Sequence, residues 1–179
     1  MKKFIALLRG INVGGKNKVS MPLLKSALEH AGFSDVTTYI NSGNIIFSST
    51  ENDILMLQNQ FRGVIADTFG LDIPTAVIPA KDLADALEHA PSWWNAADNS
   101  KHNAIFVIAP ADAAAVIQQV GDIKPEYEKV AHHNQVIFWS APIETFSHTR
   151  WSKIVGGPAY QSVTIRNANT TMKLLQLSK

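Results

Sequence analysis

The sequence predicts an α+β protein of two tandem ferredoxin-like (βαββαβ) units with antiparallel sheets, closed by a C-terminal helix. Three observations predict it. Short β-prone apolar runs alternate with stretches of helical periodicity in the order strand, helix, strand, strand, helix, strand. The same order returns in the second half with negligible side-chain identity between the halves. Glycine, proline and asparagine punctuate nearly every expected boundary. The predicted organisation is a first unit at residues 1–80, a helical connector at 81–102 and a second unit with the terminal helix at 103–179.

Residues 4–8 (Phe-Ile-Ala-Leu-Leu) form an apolar run that stops at Arg9-Gly10 and reads as a buried strand. A helix is predicted from Met21, with Ser20 as N-cap, Pro22 tolerated in the first turn, and Met21, Leu24, Leu28 and Ala31 on one face; Gly32 ends it. Residues 36–40 and 45–48 read as strands joined by the tight turn Asn41-Ser42-Gly43-Asn44. Ile54, Leu57, Phe61, Val64 and Thr68 recur at helical spacing until Gly70, and residues 73–78 complete the unit as a strand. The connector carries a helix and then Pro91-Ser92-Trp93-Trp94. In the second half, strand 104–108, helix 111–120, a hairpin of 127–132 with 136–140, a looser helical stretch after Pro142 and strand 162–166 precede a last helix holding Met172, Leu175 and Leu177.

The chain has 179 residues, 46% hydrophobic and 17% charged, which is the make-up of an ordinary globular protein rather than a disordered one. With no cysteine there is no disulfide, thiolate nucleophile or cysteine-bound metal, which suits a reducing cytoplasm, the expected location. Lys2-Lys3 before an apolar run faintly resembles a signal peptide, but Arg9 ends the run too early, and no stretch has the length of a membrane span. A pI of 8.0 is below that of domains that grip nucleic acid through bulk charge. The charge is nevertheless polarised. All fifteen acids lie between Glu29 and Glu144; six cations precede that segment and five follow it. The near-neutral total thus conceals two basic ends, which favours an anionic ligand where they are presented.

Those ends hold the polar motifs. In a βαββαβ unit the first two strands run parallel, so the loop after strand one, the start of helix one and the next hairpin share one end of the sheet. That brings Arg9, Asn12, Gly14, Gly15 and Lys16 beside Asn41, Ser42, Gly43 and Asn44. Glycine-rich backbone and a helix N-terminus attract anions, flanking cations add to the pull, and side-chain amides orient the ligand. Taken singly, each residue is explained by turn chemistry; the convergence is what points to a site. Gly10-x4-Gly15-Lys16 follows P-loop spacing, but Asn17 stands where a Ser/Thr hydroxyl would hold magnesium, which argues against nucleotide hydrolysis. At the far end Arg166 closes a strand, Asn167 or Asn169 caps the last helix, and Lys173 lies one turn on; these join the site if the second unit packs against that end of the first sheet.

Other constellations read as structural. None of the six histidines shows metal-ligand spacing with a carboxylate, and His132 and His133 point to opposite strand faces, so no metal site is expected. Glu126 and Glu128 read as a solvated strand face. Ser147, His148 and Thr149 lack a nucleophile elbow. Trp93, Trp94, Trp139 and Trp151 read as core or interface, with stacking on bases the alternative for any that are exposed. No general base or nucleophile is identifiable, so the sequence assigns neither enzymatic activity nor a cofactor, and nothing in it sets an oligomeric state.

The motifs also carry a resemblance. Residues 7–17 (LLRGINVGGKN), 39–44 (YINSGN), Thr164-Ile165-Arg166-Asn167 and Asn169-Thr170 resemble the signatures of an uncharacterised, mainly bacterial family, domain of unknown function 1697. The resemblance spans nearly the whole chain and implies two ferredoxin-like units. It brings no activity, cofactor or catalytic residue. Ala168 departs from the tryptophan the family tends to carry there, which weakens a stacking role at that position. The leading functional expectation is a phosphate-bearing small molecule, such as a nucleotide, bound at the two N-terminal loops. The alternatives are a single-stranded nucleic-acid module, disfavoured because Ile45-Ile46-Phe47 lacks the aromatic pattern of RNA-binding sheets, and a non-enzymatic protein-interaction or oligomerisation module.

Overall fold

The computed structural model describes residues 1–179 and contains two four-stranded antiparallel sheets with five α-helices. The chain divides into two compact units, Met1–Leu83 together with Lys173–Lys179, and Ala84–Met172.

In the first unit β1 (Lys2–Leu8), β2 (Ser34–Tyr39), β3 (Asn44–Ser49) and β4 (Thr75–Pro79) form a sheet ordered β2-β3-β1-β4. Each neighbouring pair is antiparallel, so β1 and β2 run the same way. Helix α1 (Met21–His30) returns the chain between them. Its N-cap Ser20 accepts a bond from the Leu23 amide, an arrangement that contributes about 1 kcal/mol. Helix α2 (Ile54–Phe69) starts on Asp53, which accepts from the Met56 amide, and stops at Gly70 in the left-handed conformation.

Phe4, Ala6 and Leu8 alternate along β1 toward a core shared with Leu24, Leu28, Leu57, Phe61 and Ile65 of the two helices. Four phenylalanines knit this core: Phe47 lies 5.5 Å from Phe4, 5.1 Å from Phe33 and 4.8 Å from Phe61, ring centre to ring centre. β2 begins two residues earlier than its apolar run because a bulge between Ser34 and Thr37, with Asp35 at a φ of 51°, restores pairing with β3.

Helix α3 (Ala80–Glu88) follows β4 directly, and the division between units falls inside it. In the second unit β5 (Ser100–Val107), β6 (Lys129–His133), β7 (Val136–Pro142) and β8 (Val163–Asn167) are ordered β6-β7-β5-β8, again antiparallel throughout. Helix α4 (Ala113–Val120) is capped by Asp112. Helix α5 (Ala168–Leu177) ends the fold, and its residues from Lys173 onward belong with the first unit, where Lys3 Nζ donates to the Lys179 carbonyl at 2.8 Å.

The helical stretch expected after Pro142 consists of three short 3-10 turns, Phe146–His148, Trp151–Gly156 and Pro158–Ser162. Local side-chain bonds break up the helix. Thr149 Oγ1 donates to the Phe146 carbonyl and accepts from the Ser152 amide, and Pro158 has no amide to continue a helical ladder. Trp151 and Ile154 from this stretch fill the second core against Ile105, Ile137 and Trp139.

The expected solvated strand face at Glu126 and Glu128 is corrected here. Both precede β6, and Glu128 is buried, its carboxylate accepting from the Arg150 and Trp151 amides at the start of the second 3-10 turn. A helical N-terminus leaves amides without intrahelical partners, and an anion there satisfies them. Glu128→Ala is expected to cost about 2 kcal/mol by leaving buried donors unmet, with Glu128→Gln recovering part of it; urea midpoints of the three proteins measure this.

Candidate functional site

The loop after β1 folds back on itself. The Arg9 amide donates to the Pro74 carbonyl at 3.0 Å, anchoring the loop's base beside β4. Val13 and Lys16 then pair as a single β-bridge, with Gly14 and Gly15 at φ 59° and 72° between them. Two consecutive left-handed residues make the tight turn that glycine adopts without a Cβ penalty. Asn17 closes the loop, its side chain donating to the Gly10 carbonyl at 2.9 Å and its carbonyl accepting from the Asn12 amide at 3.1 Å.

Asn12 ties this loop to its surroundings. Its Nδ2 donates to the carbonyls of Val19 (3.0 Å) and Asn41 (2.8 Å), and its Oδ1 accepts from the Val19 amide (2.8 Å). The β2–β3 turn is held from the other side, where the Leu8 amide donates to the Gly43 carbonyl at 2.8 Å. Gly43 itself sits against Leu8 and Ile11 with no room for a Cβ. The predicted meeting of the two loops at one end of the first sheet is therefore present, made by backbone carbonyls and one asparagine.

Around that junction lies an open hollow of ≈ 420 Å³, lined by Asn12, Gly15, Lys18 and Asn41 together with residues 19–22 at the beginning of α1. Asn12, Gly15 and Asn41 thus face it among the expected residues, and Lys18 joins them. Gly14 and Lys16 are exposed on the turn beside it. Arg9 is half-buried at the root of the loop, and Ser42 is half-buried under Asn44. Asn44 is fully buried, its Nδ2 donating to the Tyr39 carbonyl and to Ser42 Oγ, both at 3.0 Å. Gly43 and Asn44 therefore shape the turn from within.

The C-terminal candidates have different roles. Arg166 is buried, 8% exposed, donating through Nη1 to Thr164 Oγ1 and the Ile165 carbonyl, each at 2.9 Å. Burial lowers its pKa to about 10, while the charge of Tyr160 acts in the opposite sense. Asn167 is the cap expected for the last helix, accepting from the Thr170 amide at 2.8 Å; with Asn169 it also borders a polar hollow of ≈ 410 Å³ in the second unit. Lys173 is on α5, its Nζ 3.2 Å from Gln176 Oε1.

The histidine reading needs revision. Asp85 and His89 stand four residues apart at the end of α3, and the β6–β7 hairpin brings His133 onto them. His133 Nε2 lies 2.8 Å from Asp85 Oδ2, and His89 Nδ1 lies 3.4 Å from Asp85 Oδ1. The Asp-x3-His spacing was the legible half of this cluster, since positions i and i+4 share a helix face. The 48-residue jump to His133 was not.

Comparison with known proteins places these motifs in context. A family model described as "Protein of unknown function (DUF1697)" matches residues 1–138. Among solved structures, the conserved bacterial protein SP0830 from Streptococcus pneumoniae is similar at a TM-score of 0.88 and 33% identity, over 99% of each chain. No curated protein matches the sequence.

Proposed function

The chain belongs to the DUF1697 family, and we propose that it binds a phosphate-bearing, nucleotide-like small molecule in the hollow of its first unit. The observation that carries this reading is the junction of the two loops, where Gly15, Lys18, Asn41 and the N-terminal end of α1 border one open hollow. A cation, glycine backbone and a helix N-terminus together favour a phosphate there. Asn12 and Asn44 act from beneath, fixing the loops and leaving Asn41 as the exposed amide. Lys16 and Arg9 supply the surrounding positive field. In this reading each unit is ferredoxin-like, with the 3-10 turns standing in the second unit where the first has α2. The cytoplasm of a bacterium, rich in phosphorylated metabolites and reducing toward thiols, is the compartment that fits. No helix is long and apolar enough to cross a membrane.

A nucleotide is favoured over bare phosphate by the apolar residues on the same segments. Val13, Leu23 and Ile40 are 64%, 50% and 50% exposed, and such side chains suit the face of a base. They also support a second reading, in which this end of the unit docks a protein partner. Single-stranded RNA is less well served, because every residue of β1 and β3 from Phe4 to Leu8 and from Asn44 to Ser48 is buried.

Calorimetric titration with ATP, GTP and inorganic pyrophosphate distinguishes these readings. The nucleotide reading expects saturable binding that Lys18→Ala weakens by about tenfold, the value of one charge-assisted contact, with a smaller loss in Arg9→Ala. Binding equally tight in wild type and Lys18→Ala contradicts it. A concentration-dependent mass in light scattering, abolished by Ile40→Asp, would favour docking instead.

A further inference from the structure

We propose that Asp85, His89 and His133 form a binding site for a first-row divalent transition-metal ion, independent of the phosphate site. One ligand atom from each of the three residues lies within 4.8 Å of the other two. A tetrahedral ion bound at about 2.0–2.1 Å holds its ligands roughly 3.3 Å apart, and the 2.8 Å between His133 Nε2 and Asp85 Oδ2 is already close to that spacing. Small side-chain rotations close the remainder.

The surroundings fit a metal better than a plain hydrogen-bonded triad. The rings of His89 and His133 are parallel, 1° apart in tilt and 4.3 Å between centres. Both imidazoles therefore present edges to the same carboxylate. With its proton on Nδ1, His89 donates to the Asp85 carbonyl 2.9 Å away, and that tautomer leaves the Nε2 lone pair for a metal. Metal-bound histidines habitually donate their second nitrogen to a backbone carbonyl in this way. Asn134 Nδ2 donates to Asp85 Oδ2 at 3.3 Å, a support that orients the carboxylate.

Two imidazoles and one carboxylate suit zinc, cobalt, nickel or copper rather than magnesium or calcium, which prefer oxygen. The three side chains are 30% to 54% exposed, so water or a substrate oxygen has room to complete the coordination. That is the open arrangement of three protein ligands seen in catalytic rather than structural sites.

The test uses the full chain, stripped of metal with chelator and titrated with ZnCl₂ by calorimetry and with CoCl₂ by visible absorption. The proposal expects about one ion per chain. It also expects the cobalt d–d bands to be intensified on binding, and affinity to fall at least about tenfold in His133→Ala and in Asp85→Asn. Asp85→Asn keeps the side chain's shape, so its loss of binding with an unchanged circular dichroism spectrum separates ligation from folding. His132→Ala, one residue away and on the other strand face, should bind as wild type does. No binding by the wild type, or equal affinity in wild type, His133→Ala and Asp85→Asn, overturns the proposal.

Discussion

Gly43→Ala is expected to lower stability by about 3 kcal/mol or more, one of the two largest effects in the molecule. Two independent costs meet at this position. A Cβ built there would lie 2.6 Å from Leu8 Cβ and 2.9 Å from Ile11 Cδ1. Neither neighbour can retreat, because both are fully buried in the first core. The backbone also sits at a φ of 88°, a conformation that L-residues adopt only under strain. Urea unfolding measures the loss, and because Gly43 holds the Leu8 amide, ligand affinity at the neighbouring hollow should fall with it. A change below about 1 kcal/mol would mean that the turn can open away from β1 at little cost.

The second large effect is expected at Phe47. Phe47→Ala should cost about 3–5 kcal/mol, combining lost apolar transfer with the cavity left behind. Three other phenylalanines surround this ring, and they come from β1, α2 and the segment after α1. No single backbone movement closes a void bounded by three separate elements, so relaxation is limited. Phe47→Leu, which retains most of the volume, should recover more than half of the loss. An equal loss in both variants would point to ring geometry rather than filled space as the source of stability.

Much of the first unit was legible because its signals are local. Ser20 and Gly70 sit at helix ends where a side chain or an absent Cβ does the work, and Gly14-Gly15 and Gly43 mark turns that demand left-handed backbone. The unbroken apolar run from Phe4 to Leu8 announces a buried strand. The illegible features depend on distant partners. Nothing local distinguishes Asn44, which is buried and spent on its own turn, from Asn41, which borders the hollow. Glu128 looks like any strand carboxylate until Arg150 and Trp151 fold over it. Arg166 reads as an anion-binding arginine, but the fold buries it against Thr164. Between Phe146 and Ser162 the composition allows a helix; competition from Thr149 and the break at Pro158 turn it into 3-10 segments. Sequence pattern thus anticipated that the two loops meet, while burial decided which of their residues face solvent.

The most direct test follows backbone amide shifts in the ¹⁵N-labelled chain as nucleotide is added. If the loop junction is the binding site, the amides of Gly14, Gly15, Lys18, Met21 and Asn41 move together along one saturation curve, and Lys18→Ala flattens it. A saturating response confined to residues outside 9–24 and 39–44, or none at millimolar nucleotide, would contradict the account.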